Sequence, residues 1–327
     1  MTDLAVIIVS FNSEQWLKQC LDSVYAHRGD AEIDVIVVDN GSHDGSVELV
    51  RRHFPAPRVV LNENRGFAHA NNRGMRESEA PYVLFLNPDT EVLDGTFGAL
   101  LAGIREQPSV GLVGCRQLDS DGALYPTIRR FPSAARQFFE AVGSERFPGR
   151  ARWMGERELR DSVYDRERAC DWVSGSFMLA RRDAVVRCGL MDERFFLYCE
   201  EPDLCLRLHQ AGWEVRYSPE MTILHHFGKD GLNERLAAQE AYARLQYLFK
   251  HQGRVRRSLS TAGLVMFHAR RVVTSGGHEE GGARRAASVA ALRTLLRLSP
   301  PPFGELSGPL RAPTTLAPAA NRGSRLS

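Results

Sequence analysis

Short apolar runs alternate with amphipathic segments through the first hundred residues. Two runs, residues 4–9 and 33–38, are apolar at nearly every position, which is typical of strands buried on both faces of a sheet. Between them, apolar residues recur at helical spacing behind Ser13, a residue type that can cap a helix. Further strands are predicted over residues 58–61 and 82–86, and a second helix over 67–77. This alternation predicts an α/β fold with a mostly parallel central sheet flanked by helices.

The pattern is less regular beyond residue 114. Residues 116–171 contain Gly, Pro and many Arg, and we expect loops there. Strands are predicted over 110–114, 172–180, 213–217 and 222–224, and helices over 183–188, 202–210, 234–250, 255–271 and 284–298. From Ser299 onward six prolines and few large apolar residues predict a disordered tail. The predicted organisation is one domain over 1–250, a basic amphipathic helical extension over 251–298 and the tail over 299–327.

Composition narrows the class of protein. The chain has 327 residues, of which 43% are hydrophobic, so it can bury a full core. Its formal charge of +2 argues against a nucleic-acid-binding protein, although residues 250–297 contain ten Lys or Arg and only two acidic residues. The six cysteines have no zinc-ligand spacing, which favours a reduced, cytoplasmic setting. We expect neither a signal peptide nor a membrane-spanning helix.

Polar motifs follow several of the predicted strands, at the sheet edge where α/β proteins bind ligands. Asp39-Asn40-Gly41-Ser42 follows the second strand, and its carboxylate could accept a hydrogen bond from a uracil or thymine base. The same four residues are also ordinary turn chemistry. Asn64-Arg65-Gly66 could bring helix amides and a cation to a phosphate, but it is equally a plain helix start.

Asn87-Pro88-Asp89 follows the most apolar predicted strand. A carboxylate at this edge suits Mg²⁺ or Mn²⁺, which bind phosphates together with one or two protein carboxylates. Asp89 is therefore a candidate metal ligand, with a turn or helix cap as the alternative. His225 ends another predicted strand. A histidine in that position is more often a structural residue than a metal ligand. The presence of Asp89 as a second candidate ligand favours metal binding by His225.

The sharpest signal is an acidic cluster. Glu200, Glu201 and Asp203 come directly after an aromatic segment and lie at a predicted helix N-terminus, where the helix dipole favours ionised carboxylates. One of them could act as a general base. The alternative is simple charge complementarity to the dipole, which usually needs only one or two acids.

Taken together, these motifs resemble the family 2 glycosyltransferases, in particular their rhamnosyltransferase-like branch. The resemblance spans residues 4–228 and depends on the order of motifs that are individually weak. The matching segments are residues 6–12 (VIIVSFN), 37–42 (VVDNGS), 44–46 (DGS), 64–68 (NRGFA), 84–89 (LFLNPD), 172–175 (WVSG), 192–207 and 211–213 (AGW).

The resemblance implies a GT-A fold, a nucleoside-diphosphate sugar donor, a glycan or lipid-linked acceptor and a Mg²⁺ or Mn²⁺ cofactor. It assigns Asp89 to the metal, with His225 completing the metal site in a His-x-x-Gly pattern that ends at Gly228. It places the base on Glu201, with Glu200 as the alternative and Asp203 as a helix-terminal or acceptor-side contact. The implied donor-binding residues are Ser10, Asn12, Asp39, Asn40, Asn64, Arg65, Gly66 and Asn87.

The sequence departs from the family pattern at two positions. Glu201 stands where the family has Asp, which moves the carboxylate by about 1.5 Å, the length of one C–C bond. Asp230 stands where Ser often follows the His-x-x-Gly pattern. Neither departure removes a needed charge.

The sequence therefore predicts an inverting, metal-dependent glycosyltransferase. The competing functions are a catalytically silent nucleotide-sugar-binding or scaffold protein and a sugar nucleotidyltransferase. The latter should have a Gly-rich basic loop after its first strand, where this chain has Ser10-Phe11-Asn12-Ser13. The basic helices over 251–298 could rest on anionic lipid, giving a peripheral contact at the inner face of the membrane, or could pack on the catalytic domain or a second subunit.

Overall fold

The computed structural model describes residues 2–144, 151–226, 233–276, 279–308 and 310. The first part of the chain alternates strands and helices, as the apolar pattern predicts, and adds elements over residues 46–53, 90–94 and 97–105 that the pattern does not predict. In chain order the elements are β1 (Leu4–Ser10), α1 (Glu14–Ala26), β2 (Ile33–Asp39), α2 (Ser46–His53), β3 (Arg58–Leu61), α3 (Phe67–Met75), β4 (Tyr82–Leu86), β5 (Thr90–Asp94), α4 (Phe97–Arg105) and β6 (Val110–Leu118). Every residue of β1 and β4 is buried, as their unbroken apolar runs require.

The remaining elements follow in the order β7 (Ile128–Arg129), α5 (Ala134–Ala141), β8 (Arg168–Ala169), β9 (Trp172–Val173), β10 (Phe177–Arg181), α6 (Arg182–Arg187), α7 (Glu200–Gln210), β11 (Glu214–His225), α8 (Glu234–His251), α9 (Arg254–Thr274) and α10 (Glu279–Leu295). Short 3₁₀ helices cover Arg152–Met154, Asp161–Val163 and Gly304–Ser307. None of the described helices is both long enough and apolar enough to cross a membrane.

The main sheet is mixed and has the strand order β3-β2-β1-β4-β10-β6-β11-β5, with β8 paired to β11. Strands β3, β2, β1 and β4 are parallel, whereas β10 runs antiparallel to both of its neighbours. Helices cover both faces: α1, α2 and α4 pack on one apolar cluster, and α3, α6 and α7 pack on the other. The carboxyl ends of β1, β2 and β4 therefore meet at one edge.

The later elements also differ from the sequence prediction in three places. The strand predicted over 172–180 is interrupted, because β9 pairs with β7 in a separate two-stranded sheet while β10 joins the main sheet. The loops predicted over 116–171 include α5, capped by the Ser133 hydroxyl, and the end of β6. The two strands predicted over 213–224 form one strand, β11, whose pairing with β6 shifts register between Ser218 and Thr222.

The C-terminal helices pack as a group against the segment that precedes α7. Helices α8, α9 and α10 share an apolar cluster that also includes Phe195. Residues 299–308 do not agree with the predicted disordered tail, because Phe303 stacks on Phe196 and the Tyr242 hydroxyl donates to the Gly308 carbonyl oxygen. Aromatic stacking and carbonyl pairing hold this short segment despite its low apolar content. Residues 311–327 lie outside the described part of the chain.

Candidate active site

A cavity of about 870 Å³ opens at the carboxyl edge of the sheet. Asn87, Asp89 and His225 line one side, and Glu200 and Glu201 line another. Two motifs that are more than a hundred residues apart in the sequence therefore line the same cavity. The cavity is large enough for a nucleotide-sugar-sized ligand.

Asp89 and His225 meet because β5 pairs antiparallel with β11. In that pairing His225 is opposite Thr90, and the His226 amide donates to the Asp89 carbonyl oxygen at 2.9 Å. The His225 Nε2 atom lies 3.1 Å from the Asp89 Oδ1 atom. On its other side, the His225 Nδ1 atom lies 2.7 Å from the Gln117 amide, which also accepts a hydrogen bond from the Ser176 hydroxyl at 2.7 Å. This chain of contacts fixes the orientation of the imidazole ring.

The two side chains fit a divalent cation. Adjacent ligands of an octahedral Mg²⁺ at 2.0–2.1 Å lie roughly 3 Å apart, which matches the spacing of the Asp89 and His225 atoms. Among the described residues no group of three His, Cys, Asp or Glu side chains could hold a metal, so donor phosphates would have to supply further ligands. Gly228 and Asp230 lie outside the described residues.

The predicted donor-binding residues after β1 and β2 fall into two groups. Asn40 and Asn64 line the cavity, and the Asn40 amide donates to the Asn64 side-chain oxygen at 3.0 Å. Ser10, Asn12 and Asp39 do not line it. Asn12 holds the neighbouring loop, because its side chain accepts from the His43 amide at 2.8 Å.

Asp39 and Ser10 nevertheless carry unused hydrogen-bonding capacity. Asp39 is buried and accepts the Ser42 amide through Oδ2 at 3.3 Å, while its Oδ1 atom has no partner. The Ser10 hydroxyl is also buried without a partner. Buried polar atoms without partners are uncommon in folded proteins. Both atoms therefore remain available to a ligand that enters beside β1 and β2.

The segment at Asn64-Arg65-Gly66 differs from the phosphate-binding arrangement considered from sequence. Gly66 has φ of 102°, and a side chain there would overlap the Phe196 carbonyl oxygen. The Phe67 amide donates to that oxygen at 2.7 Å, so the first amide of α3 is occupied. Arg65 is exposed and does not line the cavity. Gly66 itself lines the cavity, and the segment also packs α3 against the loop before α7.

The acidic cluster begins α7 directly after a strained turn. Tyr198 and Cys199 both have left-handed φ values, 70° and 67°, which are unfavourable for residues other than glycine. This turn directs Glu200 and Glu201 into the cavity wall. Glu200 is buried, and its Oε2 atom has no partner. Burial raises the pKa of Glu200 well above its ordinary value, and the charge of Glu201 raises it further.

Glu201 is partly exposed to the cavity and is more accessible than Glu200. Burial raises the pKa of Glu201, and the Glu201 and Gly175 amides and the cation of Arg129 partly oppose that rise. A side chain at Gly175 would overlap the Glu201 carboxylate and displace it from its present position. A carboxylate with a raised pKa, placed beside an open cavity, has the properties of a general base.

Of the two predicted roles, Asp203 has the helix-terminal position, in the first turn of α7, and does not line the acceptor side of the cavity. It is fully buried and absent from the cavity wall. Its carboxylate pairs with Arg207 at 2.7 Å, Lys250 at 2.5 Å and His251 at 2.6 Å. Side-chain hydrogen bonding and these cations lower the pKa of Asp203 despite its burial. Asp203 joins α7 to α8 and is a structural residue.

Sequence reasoning missed several residues of the cavity wall. Arg129 and Tyr125 come from the segment in which we expected only loops, and Trp172 comes from the interrupted strand. Gln117 and Ser176, which contact each other beside His225, carried no signal in the sequence. Trp172-Val173-Ser174-Gly175 did match the family pattern, and that motif could have suggested that Gly175 approaches the acidic cluster.

Comparisons with known proteins identify relatives of this chain. The family profile described as Glycosyl transferase family 2 matches residues 5–183. An N-acetylglucosaminyl-diphospho-decaprenol L-rhamnosyltransferase of Mycobacterium tuberculosis is 31% identical over 269 residues, which cover 77% of this chain and 87% of that protein. The rhamnosyltransferase WbbL of Escherichia coli K12 is 27% identical, with coverage of 69% and 84%.

Solved structures give the same fold. A mannosyltransferase from Pyrobaculum calidifontis, solved with GDP-Man and Mn²⁺, aligns with a TM-score of 0.55 at 17% identity and covers 91% of this chain and 90% of that one. Residues 1–349 of Staphylococcus aureus TarS align with a TM-score of 0.51 at 13% identity, with coverage of 91% and 93%. The fold is GT-A, as the resemblance implied, and the chain belongs to glycosyltransferase family 2.

Proposed function

We propose that this protein is an inverting glycosyltransferase that moves rhamnose from a nucleoside-diphosphate donor to a hydroxyl group of a lipid-linked sugar. The observation that carries the proposal is the placement of the Asp89–His225 pair and the Glu201 carboxylate around one cavity. The named substrates of the Mycobacterium tuberculosis and Escherichia coli relatives support rhamnose, and the former's name supports a lipid-linked acceptor.

The proposed reaction is a single displacement. Glu201 takes the proton from the acceptor hydroxyl as its oxygen forms a bond to the anomeric carbon, and the bond from that carbon to the nucleoside diphosphate breaks. One displacement inverts the anomeric configuration. Asp89 and His225 would hold a divalent cation, which when bound neutralises charge on the leaving diphosphate. In this reaction Glu201 activates the acceptor hydroxyl, whereas Asp89 would act, through the cation, on the leaving diphosphate.

A panel of nucleotide sugars tests the donor. With Mn²⁺ present, thymidine-diphosphate rhamnose at a hundred times its Kd should stabilise the fold by about 2.7 kcal/mol, because it binds only the native state. The measurement is the melting temperature with each donor, with and without metal, followed by transfer assays. A clear preference for another nucleotide sugar would overturn the proposal that the donor carries rhamnose. If a chelator leaves the stabilisation by the donor unchanged, the proposed dependence on a metal is wrong.

We further propose that α9 lies on an anionic membrane surface. Exposed apolar residues follow one another at alternating spacings of four and three, which places them on one stripe of the helix. They are Val255, Leu259, Ala262, Met266, Ala269 and Val273. The helix contains five Arg and no Asp or Glu, so its charge complements anionic lipid and would repel a second copy of itself. The helix packs inward through Ser260, Gly263 and Leu264.

Replacing both Leu259 and Met266 with Ser should weaken binding to phosphatidylglycerol vesicles by about tenfold or more, because two partly inserted side chains lose apolar contact. Co-sedimentation of the full chain measures the effect. Val186→Ser provides the matched control, since Val186 is equally exposed on α6. If the double variant sediments as the unchanged protein does, or if the protein dimerises through this stripe, the membrane proposal is wrong.

A further inference from the structure

Three side chains form a row on the cavity wall opposite the metal pair. Arg129 in β7 is opposite Trp172 in β9, and an isolated antiparallel bridge places Arg157 opposite Arg129 on the other side. Residues directly opposite each other in antiparallel pairs point to the same face. All three line the cavity, and the Arg129 guanidinium lies 5.5 Å from the centre of the Trp172 ring.

The two arginines of this row lack counter-ions. The Arg129 Nη2 atom donates to the Tyr125 hydroxyl at 3.0 Å, and its buried Nε atom has no partner. Within the described ranges, no carboxylate lies at ion-pair distance from either guanidinium. Burial lowers the pKa of Arg129 and the charge of Arg157 lowers it further, while Tyr125 and the charge of Glu156 partly oppose this change. Like charges placed opposite each other destabilise a fold unless something else neutralises them.

The carboxylates nearest to this row are engaged elsewhere. Glu156 is held by the Arg244 guanidinium, whose Nη1 atom lies 3.2 Å from both of its oxygens. Glu240 pairs with the same arginine at 3.3 Å. These two acids and Arg244 form a closed group beside the row. Arg244 is thus paired with both acids, whereas Arg129 and Arg157 line the cavity without a direct ion pair among the described residues.

We propose that Arg129 and Arg157 bind the diphosphate group of the acceptor, a site that rests on the proposed lipid-linked acceptor and specifies how it is recognised. The Arg129 cation lies within electrostatic reach of Glu201. A sugar whose hydroxyl faces Glu201 would then direct its anomeric diphosphate to the two guanidinium groups, which match phosphate oxygens in a bidentate manner.

The position of the row also fits the path of a lipid chain. Arg157 lies within electrostatic reach of Arg271, near the C-terminal end of α9. Helix α9 carries the exposed apolar stripe described above. A diphosphate bound at Arg157 would therefore have its lipid leaving towards the surface that we propose contacts the membrane. A soluble glycan acceptor has no diphosphate and no lipid, so it would need neither the two arginines nor a path from them to the apolar stripe of α9.

Binding of farnesyl diphosphate tests the site without turnover. The full chain is first saturated with thymidine diphosphate and Mn²⁺, so that the donor site is occupied, and binding is followed by titration calorimetry. Arg157→Gln should weaken the binding of farnesyl diphosphate about tenfold or more, as expected for the loss of charged hydrogen bonds. The affinity for thymidine diphosphate should not change. Arg166→Gln is the matched control, because Arg166 is exposed and does not line the cavity. Arg129→Gln should have a larger effect, and the exposed Arg157 keeps the test valid if that variant fails to fold.

Farnesol and inorganic pyrophosphate separate the possible sources of binding. The proposal requires that farnesol, which lacks phosphate, binds far more weakly than farnesyl diphosphate, and that pyrophosphate competes with the latter. It is overturned if the unchanged protein does not bind farnesyl diphosphate, if farnesol binds equally well, or if the arginine variants weaken thymidine diphosphate instead. Because no sugar is transferred in this experiment, a failure of the proposed rhamnose transfer would appear only in the donor panel.

Discussion

Glu201→Gln should lower kcat by about 10²- to 10⁴-fold, the range associated with loss of a general base. The amide keeps the size of the side chain and its place beside Gly175 but cannot take a proton. Because Asp89 and His225 are untouched, the affinity for the donor should stay within a factor of about two. Steady-state kinetics and titration of the donor measure the two quantities separately.

The control for this substitution is Glu106→Gln, which makes the same chemical change at an exposed position after α4. Its kcat should be unchanged. If Glu201→Gln retains full turnover while Glu200→Gln abolishes it, the base is Glu200 and the assignment is wrong. The pH profile gives a second check: since the pKa of Glu201 is raised, activity should increase with pH through a value above the ordinary range for Glu.

Asp89→Asn should remove metal-dependent donor binding and lower kcat/KM by about 10²-fold or more, because a metal contributes several kcal/mol to stabilising the leaving group. The amide can still accept a hydrogen bond from His225, so the fold around the β5–β11 pair should persist. The measurement is the shift in melting temperature produced by nucleoside diphosphate with and without Mn²⁺, together with kcat/KM.

Asp94→Asn is the matched control for the metal-site variant. Asp94 ends the same strand, is exposed and bonds only to the neighbouring Gly95 amide, which an asparagine oxygen can also accept. Its donor binding and activity should equal those of the unchanged protein. A metal-dependent shift of normal size in Asp89→Asn would show that the cation does not depend on Asp89.

The parts of the site that sequence reasoning anticipated lie directly after strands. Asn87 and Asp89 follow β4, and Asn40 follows β2. β4 is an unbroken apolar run and β2 is interrupted only by Asp34 before its end, so the ends of both strands are visible in the sequence, and the parallel arrangement brings those ends together. The row of Arg129, Arg157 and Trp172 was not visible, because strands of two residues have no period long enough to detect.

Asp203 is a second example of a feature that the sequence could not predict. Three neighbouring acids at a helix start have the same local chemistry, and only the packing of α7 on α8 separates them. Helical geometry turns Asp203 towards Lys250 and His251, while Glu201 faces the cavity. A rotation of about 100° per residue decides which acid is structural and which meets a ligand.

The sequence by itself determined the α/β class, the family and the acids at the carboxyl edge, because apolar periodicity and the order of short motifs are local properties of the chain. Tertiary structure alone decided that His225 meets Asp89 across the β5–β11 pair, that Gly175 lies against Glu201 and that two arginines line one face of the cavity. Those contacts join residues far apart in sequence, and their geometry depends on strand register and helix packing, which periodicity does not encode.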